Sequence, residues 1–194
     1  ENKLKGTLPT SITDLTKLEI LNLNTNEISG GIPKALGNLS ELTILSLGNN
    51  SLGGTLPAEL SNLHKLNELL LGGASISGTI PPSLGTLAQL LALDLGDNQL
   101  SGSIPSELGN LPQVTHISLC NNRLSGKLPV SFGNLTTLIS LCLHNNQLTG
   151  TLNDNLGNLV NLDSLGLSIN SFTGPLPATL TNLKKLNGFY FDNT

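Results

Sequence analysis

The side chains best suited to chemistry are two cysteines, Cys120 and Cys142, and two of the three histidines, His116 and His144. Cys120 and His144 are 24 residues apart, and the same interval joins Ser118 to Cys142 and His116 to Ser140. If 24 is a structural period, these pairs are lateral neighbours on adjacent strands. Two thiols and two imidazoles so placed are donors for a soft metal ion. The two cysteines, however, fall on a diagonal, with Cα atoms about 8 Å apart by strand spacing and rise. That is beyond disulfide reach without backbone movement. The pattern therefore reads as an incidental polar patch, and neither a metal ion nor a cofactor is expected. No nucleophile–base–orienter set stands out elsewhere, so catalysis is not expected.

The interval is indeed the period of the whole chain. Full copies run over 15–38, 39–62, 63–86, 87–110, 111–134, 135–158 and 159–182, with partial copies at 2–14 and 183–194. No residue is inserted or lost between them. Each copy is too short to bury its leucines alone, so the copies must stack as coils of one solenoid, here a single domain.

Bulk composition agrees. Aromatic residues are only 3% and Trp and Met are absent, as suits thin coils filled by one layer of aliphatics. A net charge of −4 with nine Lys plus Arg argues against nucleic acid or an anionic membrane as partner. No apolar run approaches the roughly 18 residues of a membrane span. A start at Glu1, inside a copy and without Met, reads as a processed or excised piece.

Within copy 87–110, Leu93 and Leu95 alternate as on a strand. Strands of successive copies are expected to pair in parallel, with Leu93, Ile117 and Leu141 sharing one hydrophobic pillar. An asparagine recurs after each strand, at Asn26, Asn50, Asn98, Asn122, Asn146 and Asn170. With two donors and an acceptor, it can form an internal hydrogen-bond ladder; Ala74 interrupts it, and a water or a local rearrangement is expected there. Residues 106–110 are too few for a stable α-helix and should form a 3₁₀ or short helical turn. Asn153, standing where most copies have Pro, should loosen that edge without changing the path.

The motif L-x-x-L-x-L-x-x-N-x-L-x-G-x-I-P resembles a leucine-rich repeat, and its G-x-I-P portion the plant-specific subclass. Gly30-Gly31-Ile32-Pro33, Gly78-Thr79-Ile80-Pro81 and Gly102-Ser103-Ile104-Pro105 match outright. Gly6-Thr7-Leu8-Pro9, Gly54-Thr55-Leu56-Pro57, Gly126-Lys127-Leu128-Pro129 and Gly174-Pro175-Leu176-Pro177 match with Leu for Ile. The likeness covers essentially the whole chain. It implies an α/β fold, a right-handed horseshoe of about eight coils with a parallel sheet on the concave face and 3₁₀ turns on the convex side. The subclass includes ectodomains of plant receptor-like kinases and receptor-like proteins, polygalacturonase-inhibiting proteins and ice-binding proteins. The resemblance thus implies an extracellular, non-catalytic module that binds a protein or peptide.

Such proteins usually carry Cys-containing caps, which are absent here. Leu4, Leu8 and Ile12 at one end, and Leu183, Leu186, Phe189 and Phe191 at the other, are expected to face water, which allows end-to-end self-association or stacking as a scaffold. The outward residues of the concave strands include six acids (Glu19, Glu68, Asp94, Asp97, Asp163, Asp192) and no Lys or Arg. That charge favours a neutral or cationic partner. The expected patch is Asp94, Asp97, His116, Asn121, His144 and Asn145. A second candidate surface is the hydroxyl column Thr7, Thr55, Thr79, Ser103 and Thr151 of the G-x-I/L-P edge, similar to the faces of ice-binding solenoids. Lys127 and Pro175 break its regularity. Sequons at Asn38, Asn49 and Asn134 are possible glycosylation sites on exposed turns and fit a secretory route.

Overall fold

A computed structural model describes residues 2–192, so the last two residues of partial copy 183–194 lie outside the described part. Each full copy and the partial copy 183–194 contribute one strand of three residues to an eight-stranded parallel sheet, from Ile20–Asn22 through Ala92–Asp94, His116–Ser118 and Ser140–Cys142 to Gly188–Tyr190. The order along the sheet follows the order along the chain. Leu93 pairs with Ile117 and Ile117 with Leu141, so the hydrophobic pillar expected from the period exists. All three are buried. Register is held because a one-residue slip would turn every such leucine outward.

The return segments are 3₁₀ turns of five residues, such as Ser106–Asn110, entered through a Pro in extended geometry. They are short because the next strand must start one coil further on. Asn153 takes the Pro position at φ −94°, and its side chain accepts from Asn155 N at 3.1 Å. A hydrogen-bonded cap thus replaces the stiff ring, and the turn Asp154–Asn158 keeps its length. A second parallel sheet forms on the G-x-I/L-P edge, five strands from Ser77–Gly78 to Ser171–Phe172, with Lys5–Thr7 paired to Glu27–Ser29 separately.

The asparagine ladder is present in atomic detail. Asn122 donates through Nδ2 to the carbonyls of Leu95, Leu119 and Cys120 at 3.0–3.1 Å, and accepts from Leu100 N at 2.9 Å. Asn50 and Asn98 do the same, and all three are buried. Asn26, Asn146 and Asn170 repeat the pattern half-exposed. At Ala74 the rearrangement is partial: Asn98 Oδ1 accepts from Ala74 N at 3.2 Å as well as from Ile76 N at 2.9 Å, while Leu52 N, which an Asn at 74 would pair, has no hydrogen-bond partner among the described residues.

The ends differ from expectation. Leu8 and Leu183 are buried, each 6% exposed, and Ile12 and Leu186 are half-buried. The adjoining coil covers these inward spokes even at the last positions. Leu4, Phe189 and Phe191 remain exposed, and Phe191 stacks on Phe189 and on Phe172 at ring separations of 6.0 and 6.4 Å.

Candidate functional site on the concave sheet

The turn after each strand places one residue in the left-handed region just before the ladder asparagine. It is Asp97, Asn121 and Asn145 in the middle coils, at φ 53–54°. Asp and Asn tolerate this conformation better than other side chains. Lined up by the period, they form a second, outer ladder: Asn121 Nδ2 donates to Asp97 Oδ1 at 2.7 Å, and Asn145 Nδ2 donates to Asn121 Oδ1 at 2.9 Å. Ile169 extends the column at φ 54°, a strained setting for a β-branched residue.

Three of the acids of this face, Asp94, Asp97 and Asp163, are engaged by amides. Asp94 accepts from Gly96 N at 3.0 Å, and Asp163 from Asn187 Nδ2 at 2.6 Å. The ion pairs Lys5–Glu27, Lys34–Glu59 and Lys65–Glu41 join neighbouring coils away from the sheet face. The face is therefore a row of hydrogen-bonding groups with negative charge at Asp94, Asp97 and Asp163.

Of the six residues of the expected patch, Asp97, Asn121 and Asn145 are joined directly. His144 sits next to them but belongs to a different cluster: Cys120 Sγ, Cys142 Sγ and a ring nitrogen of His144 all lie within 4.8 Å of one another. The diagonal argued from strand spacing described the backbone, and side chains leaning across the pleat close it. Cys120 is buried, and Ser118 Oγ lies 3.4 Å from its sulfur. A hydrogen bond from the Cys142 thiol, and after it one from Ser118 and the charge of His144, bring the Cys120 thiol down to about 6 against the cost of burial. The same contact and burial push Cys142 upward. His116 stands apart: its ring pairs with Thr115 Oγ1 at 2.9 Å and takes no part in the cluster.

Next to the thiols is an open depression of about 350 Å³ lined by Leu141, Cys142, His144, Ser164, Gly166, Ser168 and Tyr190. Ser164, Ser168 and Tyr190 lay outside the expected patch. Their signal was in the period: Gly166 and Tyr190 occupy the Cys142 column one and two copies on, and Ser168 the His144 column one copy on.

On the second edge, Thr7, Thr55, Thr79, Ser103 and Thr151 are exposed. The methyls of Thr7, Thr55, Thr79 and Thr151 lie against the glycine of the next coil, close enough that a Cβ on Gly30, Gly78, Gly102 or Gly174 would crowd them. Asn38 and Asn134 end 3₁₀ turns, and Asn49 lies at φ 50° after the second full coil's strand; all three are exposed.

The leucine-rich repeat signature matches residues 17–39, 41–63, 89–111, 113–135 and 137–159. The chain belongs to the leucine-rich repeat family. No curated protein sequence matches this repeat chain, but solved structures do. It is similar to the Arabidopsis receptor kinase HAESA, determined with the peptide hormone IDA and the co-receptor SERK1, at 46% identity and a TM-score of 0.96 over 99% of the chain. A TDR receptor matches at 34% identity and a TM-score of 0.96, again over 99%. A plant ice-binding protein matches at 28% identity and 0.84 over the full chain, covering 71% of that protein. The repeats are thus of the plant type. They span about a third of the length of the two receptors, 32% and 34%. No helix among the described residues is long and apolar enough to cross a membrane.

Proposed function

We propose that this protein is an extracellular recognition module that binds a peptide or protein segment of neutral or positive charge along its concave sheet. The observation that carries the reading is the outer ladder Asp97–Asn121–Asn145. It presents aligned amide and carboxylate groups across three coils, beside the charge of Asp94. An extended peptide lying across parallel strands would meet one such group per coil, about 4.8 Å apart. Support comes from HAESA, a peptide-hormone receptor of the same repeat type, at 46% identity. Oxygen-rich ladders of this kind suit backbone amides and cationic side chains, and they disfavour polyanions.

The test is a binding screen by interferometry, with the purified chain immobilised and peptides of graded charge from source-tissue secretions as analytes. Neutral and cationic peptides should bind, and Asp97→Ala together with Asn121→Ala should weaken the best of them by about 10-fold or more. Equal binding by that double variant would move the site off this patch.

A second reading is favoured by one observation, the likeness to a plant ice-binding protein combined with the exposed Thr/Ser column of the second sheet. Thermal hysteresis and ice-recrystallisation measurements decide it. Inhibition lost on Thr79→Tyr would support it, and no inhibition by the unaltered chain would end it.

A further inference from the structure

We propose that Cys120, Cys142 and His144 form a Cys₂His site for a soft divalent ion, Zn²⁺ in the first instance, with one coordination position open to the depression beside Ser168. The site does not depend on the peptide-binding reading.

The donor set is the first argument. The three ligand atoms lie within 4.8 Å of one another. Around a tetrahedral zinc, with Zn–S near 2.3 Å and Zn–N near 2.0 Å, the donors of a Cys₂His set stand about 3.5–3.8 Å apart. Closing the remainder takes about 1 Å of side-chain movement and no change of coil register. Two thiolates and a neutral imidazole balance the charge of Zn²⁺, and soft donors of this kind discriminate against Mg²⁺ and Ca²⁺. On binding at neutral pH, the metal displaces the Cys142 thiol proton, which passes to buffer, and meets Cys120 largely as the thiolate; no electrons move.

The surroundings are the second argument. The columns that hold the ligands carry glycine on the side where a larger residue would cover them. A Cβ on Gly96 would lie 3.2 Å from Cys120 Sγ and 2.8 Å from Ser118 Oγ, and one on Gly166 would touch both Cys142 Sγ and a His144 ring carbon at 3.8 Å. Ser168, in the next coil on the His144 column, is 9% exposed, and its hydroxyl oxygen makes no hydrogen bond among the described residues. It lines the same depression as Cys142 and His144. A metal-bound water or a donor atom from a ligand in the open position would give it a partner. Asp94 and Asp97 contribute negative potential at the thiols, which draws in a cation.

The experiment uses the whole chain, reduced and shown by thiol titration to carry two free thiols. Isothermal titration with Zn²⁺ should give one site per chain. Co²⁺ as a spectroscopic probe should give sulfur-to-metal charge-transfer bands and the visible bands of a tetrahedral ion. Cys142→Ser and His144→Ala should each weaken Zn²⁺ binding by about 10-fold or more, and His64→Ala, outside the cluster, should not. Circular dichroism checks that each variant keeps its fold. No heat at micromolar protein, or a Co²⁺ spectrum without thiolate bands, overturns the proposal. So does unchanged affinity in Cys142→Ser or His144→Ala.

Discussion

Asn121 and Asn122 are chain neighbours, and each belongs to a ladder of amides running along the solenoid, one outside and one inside. Asn122 is buried and bonds only to backbone: three carbonyls, two of them in its own coil and one in the coil before, and Leu100 N. Asn121 is half-buried, and its side chain bonds only to other side chains, Asp97 and Asn145. The inner ladder is repeated because the backbone it serves is repeated; any other residue leaves a peptide group unpaired. The outer ladder serves nothing that recurs, so its column reads Thr25, Asn49, Gly73, Asp97, Asn121, Asn145, Ile169. One specifies the fold and the other is free to specify a partner.

The sharpest break of that contrast is Asn122→Ala. The Leu95, Leu119 and Cys120 carbonyls each keep another donor, namely Asn98 Nδ2, Asn146 Nδ2 and Asp97 N. Leu100 N loses the acceptor that pairs it, inside the protein. An unpaired buried N–H costs about 1–3 kcal/mol. Urea unfolding should show a loss of that size with an unchanged slope, and a loss under about 0.5 kcal/mol would mean that the ladder is not what joins the coils.

Much of this was readable in the sequence. The 24-residue period fixes the pillar through Leu93, Ile117 and Leu141, the turn at 106–110 and the ladder including Asn122, because burial leaves each of those positions almost no chemical alternative. Leu8 and Leu183 depart from the expected exposure because one covering coil suffices to bury an inward spoke, even near the ends of the array. The site was legible only as a face. The proximity of Cys120 to Cys142 depends on rotamers, and spacing along the chain gives columns without saying which way a side chain leans across them.

Ile169→Asn sharpens the comparison from the opposite direction. Ile169 holds a left-handed φ of 54° with 44% exposure, so it pays strain and buries little. Asparagine relieves that strain and can donate to Asn145, lengthening the outer ladder by one coil. Stability should rise by about 1 kcal/mol, measured as a shift in thermal midpoint. A fall would show that the exposed isoleucine packs on something the ladder does not explain.

Asn121→Ala should then be nearly silent in stability, within about 0.5 kcal/mol, because its partners are solvated and can turn to water. In the peptide-binding assay it should still weaken the best ligand severalfold. A large stability loss would collapse the distinction between the two ladders.

A contrast read by titration rather than by unfolding lies one residue further back, at Cys120. In metal-free, reduced protein its thiol is held near 6, first by the hydrogen bond from Cys142, then by Ser118 and His144. Because this folded-state value is below that of an unfolded thiol, ionisation of Cys120 by itself favours the fold above about pH 9, where an unfolded thiol is also ionised, and that contribution is lost as pH falls through about 6; Cys142, pushed upward by the same contact, contributes with the opposite sign at high pH. Thiolate absorbance in the ultraviolet should therefore titrate with a midpoint near 6. Cys142→Ala, which removes the leading donor, should move the midpoint up toward the ordinary thiol range. Ser118→Ala should move it less. If the midpoint of the unaltered chain lies above 8, the two sulfurs do not share a proton across the pleat, and Cys120 is an ordinary buried thiol in the same sense that Asn121 would be an ordinary surface amide without Asp97.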